Sequence, residues 1–117
     1  MEPKTVEQTK VIYGNVMYPQ HANTNGIVHG GEVMKMMDSA GGVVAKKHAR
    51  TKVTTARVDC LEFHLPIYVG NYIYCICEMS FVGKSSMEVM INVMVEDLKY
   101  EGEPRVALTG VFYICST

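Results

Sequence analysis

The sequence predicts an α+β fold, a curved antiparallel sheet wrapped around one long helix. Three observations carry this. One amphipathic stretch with a period near 3.6 begins at the Gly30–Gly31 pair. After Arg50 the apolar period falls to 2 and holds through four successive segments parted by turn residues. The 117 residues, 48% hydrophobic and 20% charged, suffice for one domain over 1–117 and exclude a disordered chain.

The elements follow in order. Val11 to Met17 is a short apolar run that reads as a strand. Tyr18 to His29, rich in Asn, Gly, Pro and His, is loop chemistry. The helix runs from Gly30 to about Arg50. At about 100° per residue, Val33, Met37, Ala40 and Val44 centre its apolar face. Met34, Gly41 and Ala45 widen that face on one side, Met36 and Val43 on the other, while Glu32, Lys35, Ser39, Lys46 and Arg50 lie opposite. Strands are then expected at Val53–Leu65 (ended by Pro66), Asn71–Val82, Ser86–Leu98 and Arg105–Ile114, with a turn at Gly83–Lys84 and a loop at Glu101–Pro104. Consecutive strands with short connections predict a meander. Two of them are apolar on both faces. Tyr72, Tyr74 and Ile76 back Ile73, Cys75 and Cys77, and Met90 and Met94 back the Val/Ile row of the next strand. One helix covers one face, so a homo-oligomer is expected to cover the rest.

Eleven basic against twelve acidic residues leave no electrostatic footprint for nucleic acid or an anionic membrane. No run reaches the ~20 apolar residues of a membrane helix. The opening MEPKTVEQTK lacks an apolar core, so no secretory signal and a cytoplasmic location are expected. Cys60, Cys75, Cys77 and Cys115 sit in apolar strand-like runs without a metal-ligand spacing; buried reduced thiols and no metal are expected.

The chemistry lies in His21-Ala-Asn-Thr-Asn-Gly-Ile-Val-His-Gly-Gly31 and the helix that follows. A helix start presents unpaired N–H groups and partial positive charge, and glycine there admits close approach of an oxygen acquiring negative charge. Asp38 sits at the edge of the apolar arc two turns on, where partial desolvation would raise a carboxylate's basicity. Asn23, in the preceding loop, can donate and accept. Taken singly, each has an ordinary reading as solvated flank, turn or loop residue.

Together, Asn23-x-x-Gly26-x-x-His29-Gly30-Gly31 with Asp38 in Met36-Met37-Asp38-Ser39-Ala40-Gly41 resembles the hotdog-fold acyl-CoA thioesterases of the cytosolic, brain acyl-CoA hydrolase type and their short bacterial relatives. The likeness continues through Ala56–Asp59, the Pro66 to Gly70 corner and Lys84 to Asp97. It implies hydrolysis of an acyl-CoA to a free acid and CoA, without a cofactor. Gly31 and Gly30 would bind the thioester oxygen through their N–H groups, Asp38 would act as general base or nucleophile, and Asn23 would position water or carbonyl. Met and Tyr side chains near the helix are candidate walls of an acyl tunnel. His29, Arg57 and the Gly83-Lys84-Ser85-Ser86 turn are candidates for holding the CoA phosphates. Related animal enzymes carry two such domains and can divide the Asn and Asp between them. One domain bearing both implies a homodimer with Asn23 from one subunit and Asp38 from the other, with three dimers forming a hexamer. The competing readings are a hotdog dehydratase or hydratase and a non-catalytic acyl-CoA sensor.

Overall fold

The computed structural model describes residues 11–99 and 102–116. The opening ten residues, where no secretory signal is read, and part of the 101–104 loop lie outside that range. The elements are β1 (Val11–Val16), a short 3-10 turn at Pro19–His21, α1 (Gly30–Ala49), β2 (Val53–Phe63), β3 (Tyr72–Val82), β4 (Ser86–Glu96) and β5 (Arg105–Ser116). All five strands join one antiparallel sheet in the order β1-β3-β4-β5-β2. The expected four-strand meander therefore holds only for β3-β4-β5. β2 pairs with β5 at the far edge, because α1 carries the chain from β1 at one edge to β2 at the other.

The helix packs against every strand. A flat sheet of five strands spans about 19 Å, nearly twice a helix's width, so contact with all five requires the sheet to bend around it. This is the hotdog arrangement. The sheet's inner face alternates as predicted: Ile73, Cys75, Cys77 and Met79 on β3, Met87, Val89, Ile91 and Val93 on β4, and Leu108, Phe112 and Ile114 on β5 are buried. Met37 and Ala40 are fully buried beneath them, with Val33, Val44 and Ala45 close behind. Burial also pushes the thiols of Cys75 and Cys77 up to about 12, with Cys77 adding to the effect on Cys75. These two thiols are buried as expected. Cys60, by contrast, is exposed and Cys115 half-buried, because Cys60 lies on an edge strand.

Two helix positions depart from the predicted face. Val43 is 40% exposed, since it falls near the rim of the arc, whereas His48 is buried because it steps round inside the arc. The helix ends at Arg50, which takes a left-handed conformation (φ 56°) and donates its N–H to the Lys46 carbonyl. Lys46, Lys47 and His48 in the last turn suit the negative end of the helix dipole.

Two surfaces of the chain remain open. β2 is exposed along nearly its whole length and carries register shifts between Thr55 and Arg57 and between Asp59 and Glu62. Cys60, at the second, has φ 51°. The outer face of the sheet shows Phe81 (55%), Met90 (48%) and Val106 (38%).

Candidate active site

The loop before the helix is a small folded unit. Ala22 bridges Val28, and Ile27 bridges Tyr68, which ties the loop to the 67–70 corner. Asn23 holds it from within. Its Oδ1 accepts from the amides of Asn25 (2.9 Å) and Ile27 (3.1 Å). The side-chain acceptor is thus engaged in the loop, and the Nδ2 amine is what remains for an outside partner. Gly26 turns the loop at φ +76°, a conformation glycine adopts without cost. The N–H of His29 donates to the His21 carbonyl (2.9 Å), and the His29 carbonyl accepts from Glu32 and Val33, which launches the helix. The His29 side chain is exposed.

The helix start is left open. Among the described residues no side chain caps it. The amides of Gly30 and Gly31 have no acceptor among the described residues, as expected of the first helical N–H groups. A side chain at Gly31 would meet nothing within 4 Å, so the space on that side of the helix start is open.

Asp38 lies eight residues further on, about 12 Å along the axis. It is exposed, so the desolvation expected of it is not supplied by this one chain. Its Oδ1 accepts a 2.6 Å hydrogen bond from Thr55 Oγ1 on β2. Sequence reasoning missed Thr55. The sequence carried no signal for it: Thr55 turns inward because it pairs with buried Ile114, and the shift of register after it breaks the alternation that would have been read along the strand. At such a distance Asp38 and the Gly30–Gly31 amides of one chain cannot touch the same carbonyl.

The family model described as "Thioesterase superfamily" matches residues 25–101. The chain belongs to that superfamily. Among curated relatives, this superfamily member is 32% identical over 112 residues to the human cytosolic acyl coenzyme A thioester hydrolase, covering 96% of this chain and 30% of that protein. It is 34% identical over 95 residues to the protein VdlD of Helicobacter pylori, covering 81% and 55%. The chain therefore spans between about a third and about half of these relatives' length. Among solved structures, a hexameric thioesterase from Yersinia pestis matches with TM-score 0.85 and 31% identity over 90% of this chain and 84% of that one. An acyl-CoA hydrolase from Staphylococcus aureus, solved with butyryl coenzyme A and coenzyme A, matches with TM-score 0.89 and 26% identity over 97% and 68%.

The remaining candidates of this thioesterase-superfamily chain fall in two places. In the Gly83–Ser86 turn, the Gly83 N–H donates to the Ser86 carbonyl (2.7 Å), and the Ser85 carbonyl accepts from the amide of Ser116 (2.9 Å). Register runs from Val82 to Met87, Ile114 and Thr55, so the turn lies at the same end of the sheet as the Asp38–Thr55 pair. The end near Gly30 is marked instead by Phe63. Arg57, two residues beyond Thr55 on β2, is turned the other way. It pairs in register with Tyr113 on the outer face, with its guanidinium 4.3 Å above the Tyr113 ring and 3.8 Å from the Asp59 carboxylate.

Proposed function

We propose that this chain is an acyl-CoA thioesterase that works as a homodimer, each site taking the helix-start amides and Asn23 from one subunit and Asp38 from the other. The observation that carries the reading is the pair of amides at Gly30–Gly31, without an acceptor among the described residues, in a thioesterase-superfamily chain whose carboxylate stands ~12 Å away on the same helix. A second copy, related by a two-fold axis, can bring its Asp38 to the first copy's helix start. The exposed edge of β2 offers it a surface to pair with.

The spacing of site residues supports the assignment. The asparagine, aspartate and threonine replaced by alanine in three solved variants of the Staphylococcus aureus hydrolase stand 15 and 17 residues apart, as do Asn23, Asp38 and Thr55 here. Hexameric assembly is named for the Yersinia pestis relative. The apolar outer face around Phe81, Met90 and Val106 is the surface we assign to association of three such dimers.

In the reaction, the thioester oxygen lies at the Gly31 amide, with Gly30 beside it. Asp38 takes a proton from water, and the hydroxide attacks the carbonyl carbon. The oxyanion is held by the amides, a contact of the kind worth roughly 3–4 kcal/mol. The C–S bond then breaks, and the thiolate of CoA leaves with the proton. Attack by Asp38 itself, through an anhydride that water then opens, uses the same groups. The Asn23 amine donates to the water or carbonyl, while Thr55 fixes the Asp38 carboxylate. The Lys84 ammonium and the Ser85 and Ser86 hydroxyls meet the CoA phosphates, with His29 at the helix entrance. Arg57 enters this scheme only by leaving the Tyr113 ring.

The test is thiol release from a panel of acyl-CoAs. Wild-type protein releases CoA, and Asp38→Ala folds but loses at least ~10²-fold in kcat/KM. Binding without release would make the chain a sensor, and wild-type rates in Asp38→Ala would remove Asp38 from the mechanism.

A further inference from the structure

Among the described residues, the loop that carries Asn23 hydrogen-bonds to the rest of the chain only at the 67–71 corner and at the helix it starts. At the corner the Val28 N–H donates to the Ile67 carbonyl (2.7 Å) and the Val69 N–H to the Gly26 carbonyl (3.0 Å), on either side of the Ile27–Tyr68 bridge. In a pair of this kind the two central residues point their own N–H and C=O away from each other. Each is then met by an asparagine in the same manner. Asn23 donates its N–H to the Ile27 carbonyl (2.9 Å) and accepts the Ile27 N–H on Oδ1 (3.1 Å). Asn71 donates its N–H to the Tyr68 carbonyl (3.0 Å) and accepts the Tyr68 N–H on Oδ1 (2.9 Å). We propose that Asn71 is a positioning residue for the reaction: its side chain fixes Tyr68 and, across the Ile27–Tyr68 bridge, fixes where the Asn23 amine stands. This rests on the role given to Asn23 in the thioesterase reading above.

The two asparagines differ in what holds them. Asn71 is an anchor, only 7% exposed. Its carbonyl accepts the Met17 N–H (2.9 Å), and the neighbouring Gly70 donates to the Met17 carbonyl (2.8 Å), so the corner is tied to the end of β1. Gly70, at φ +93°, turns the chain between Tyr68 and Asn71. Asn23 is exposed, and its side-chain oxygen is held only from inside its own loop. The placing of Asn23 relative to the sheet therefore passes through Tyr68. Removing the Asn71 side chain leaves every backbone bond of the corner in place and takes away one of the two bonds that fix the Tyr68 peptide. Tyr68 then swings, and the loop swings with it. A reacting group misplaced by about 1 Å loses on the order of 10²-fold in rate.

The test compares wild type, Asn71→Ala, Asn71→Asp, Asn23→Ala and the double variant on one acyl-CoA. Asn71→Ala lowers kcat about 10- to 100-fold while KM stays within about threefold. Asn71→Asp keeps the acceptor oxygen and recovers most of the rate. With the Asn23 amine already gone its placing no longer matters, so Asn71→Ala changes the rate of Asn23→Ala by less than about twofold. A residue that only supports the fold would lower the rate by the same factor in both backgrounds. Amide hydrogen exchange reads the same link without activity: in Asn71→Ala the Tyr68 and Ile27 amides exchange at least ~10-fold faster, and those of buried Ile91 and Val93 on β4 are unchanged. A wild-type rate in Asn71→Ala, or equal losses in the two backgrounds, overturns the positioning role and leaves the thioesterase reading standing. If wild type releases no thiol from any acyl-CoA, the thioesterase reading falls, and with it the role in the reaction; the exchange rates then decide the Asn71–Tyr68–Ile27 link alone. Should Asn71→Ala fail to fold, Asn71→Leu, close in volume and without an acceptor, takes its place; failure of both makes Asn71 a residue of the fold and overturns the positioning role.

Discussion

Thr55→Val tests whether the Asp38–Thr55 pair is machinery or decoration. The replacement keeps the β-branched shape on β2 and removes only the hydroxyl that donates 2.6 Å to Asp38 Oδ1. A hydrogen bond to a charged group is worth about 1.5–3 kcal/mol. Asp38 is exposed in the single chain, which pulls the effect on stability toward the low end, below about 1 kcal/mol. In the reaction the carboxylate must face one water or one carbonyl, so the full range applies to kcat and corresponds to a loss of about 10- to 150-fold. The assay is kcat and KM for one acyl-CoA, with thermal denaturation alongside. Thr55 positions a group and does not hold the substrate, so KM should stay within about threefold. Thr55→Ser retains a donor and should recover most of the rate. A Thr55→Val enzyme at the wild-type rate, or a Thr55→Ser enzyme as impaired as Thr55→Val, would show that the hydroxyl has no part in orienting Asp38.

Other expectations concern the core. Met37 is fully buried and lies 3.2 Å from where a side chain at Gly110 would begin, so Met37→Ala should cost about 2–5 kcal/mol in a denaturant titration. A change under 1 kcal/mol would mean that the helix is not packed as described. Thiol labelling of native protein at pH 8 should reach Cys75 and Cys77 only on unfolding and Cys115 slowly, while Cys60, on the β2 edge given to the dimer contact, should label fast only in the dissociated chain. The same two thiols set a pH limit. The native state holds their protons up to about 12, whereas the unfolded chain releases them near 9.0. Their contribution to stability is therefore complete below about pH 9 and is lost as pH rises from there toward 12. Stability that stays level across that window would contradict the burial.

Much of the fold was legible in the order of periods. One 3.6-residue stretch and four period-2 stretches leave few ways to bury both, and every predicted strand is present within two or three residues of its expected limits. Strand order was not legible. The alternation in β2 says which residues share a face, but not which neighbour supplies the hydrogen bonds, and it was the helix crossing the sheet that sent β2 to β5. The site divides in the same way. Asn23, Gly30, Gly31 and Asp38 stand out as residue types at a spacing, but Thr55 is found only through register, which brings it under Asp38. Arg57 stands out in the sequence for its charge, while the bulge between Thr55 and Arg57 turns it to the outer face, onto Tyr113. The sequence offers Asn23 as both donor and acceptor, yet its oxygen is committed to two backbone amides, which only the folded loop reveals.

The most direct test of a site shared between two copies is to mix two inactive proteins. Asn23→Ala and Asp38→Ala are combined in equal amounts under conditions of subunit exchange, the heterodimers are counted by native mass spectrometry, and thiol release is measured. Half the dimers are then mixed, and each mixed dimer has one site with both residues intact, so about a quarter of the wild-type rate should return. A mixture that contains heterodimers yet stays at the rate of the separate variants would contradict the shared site.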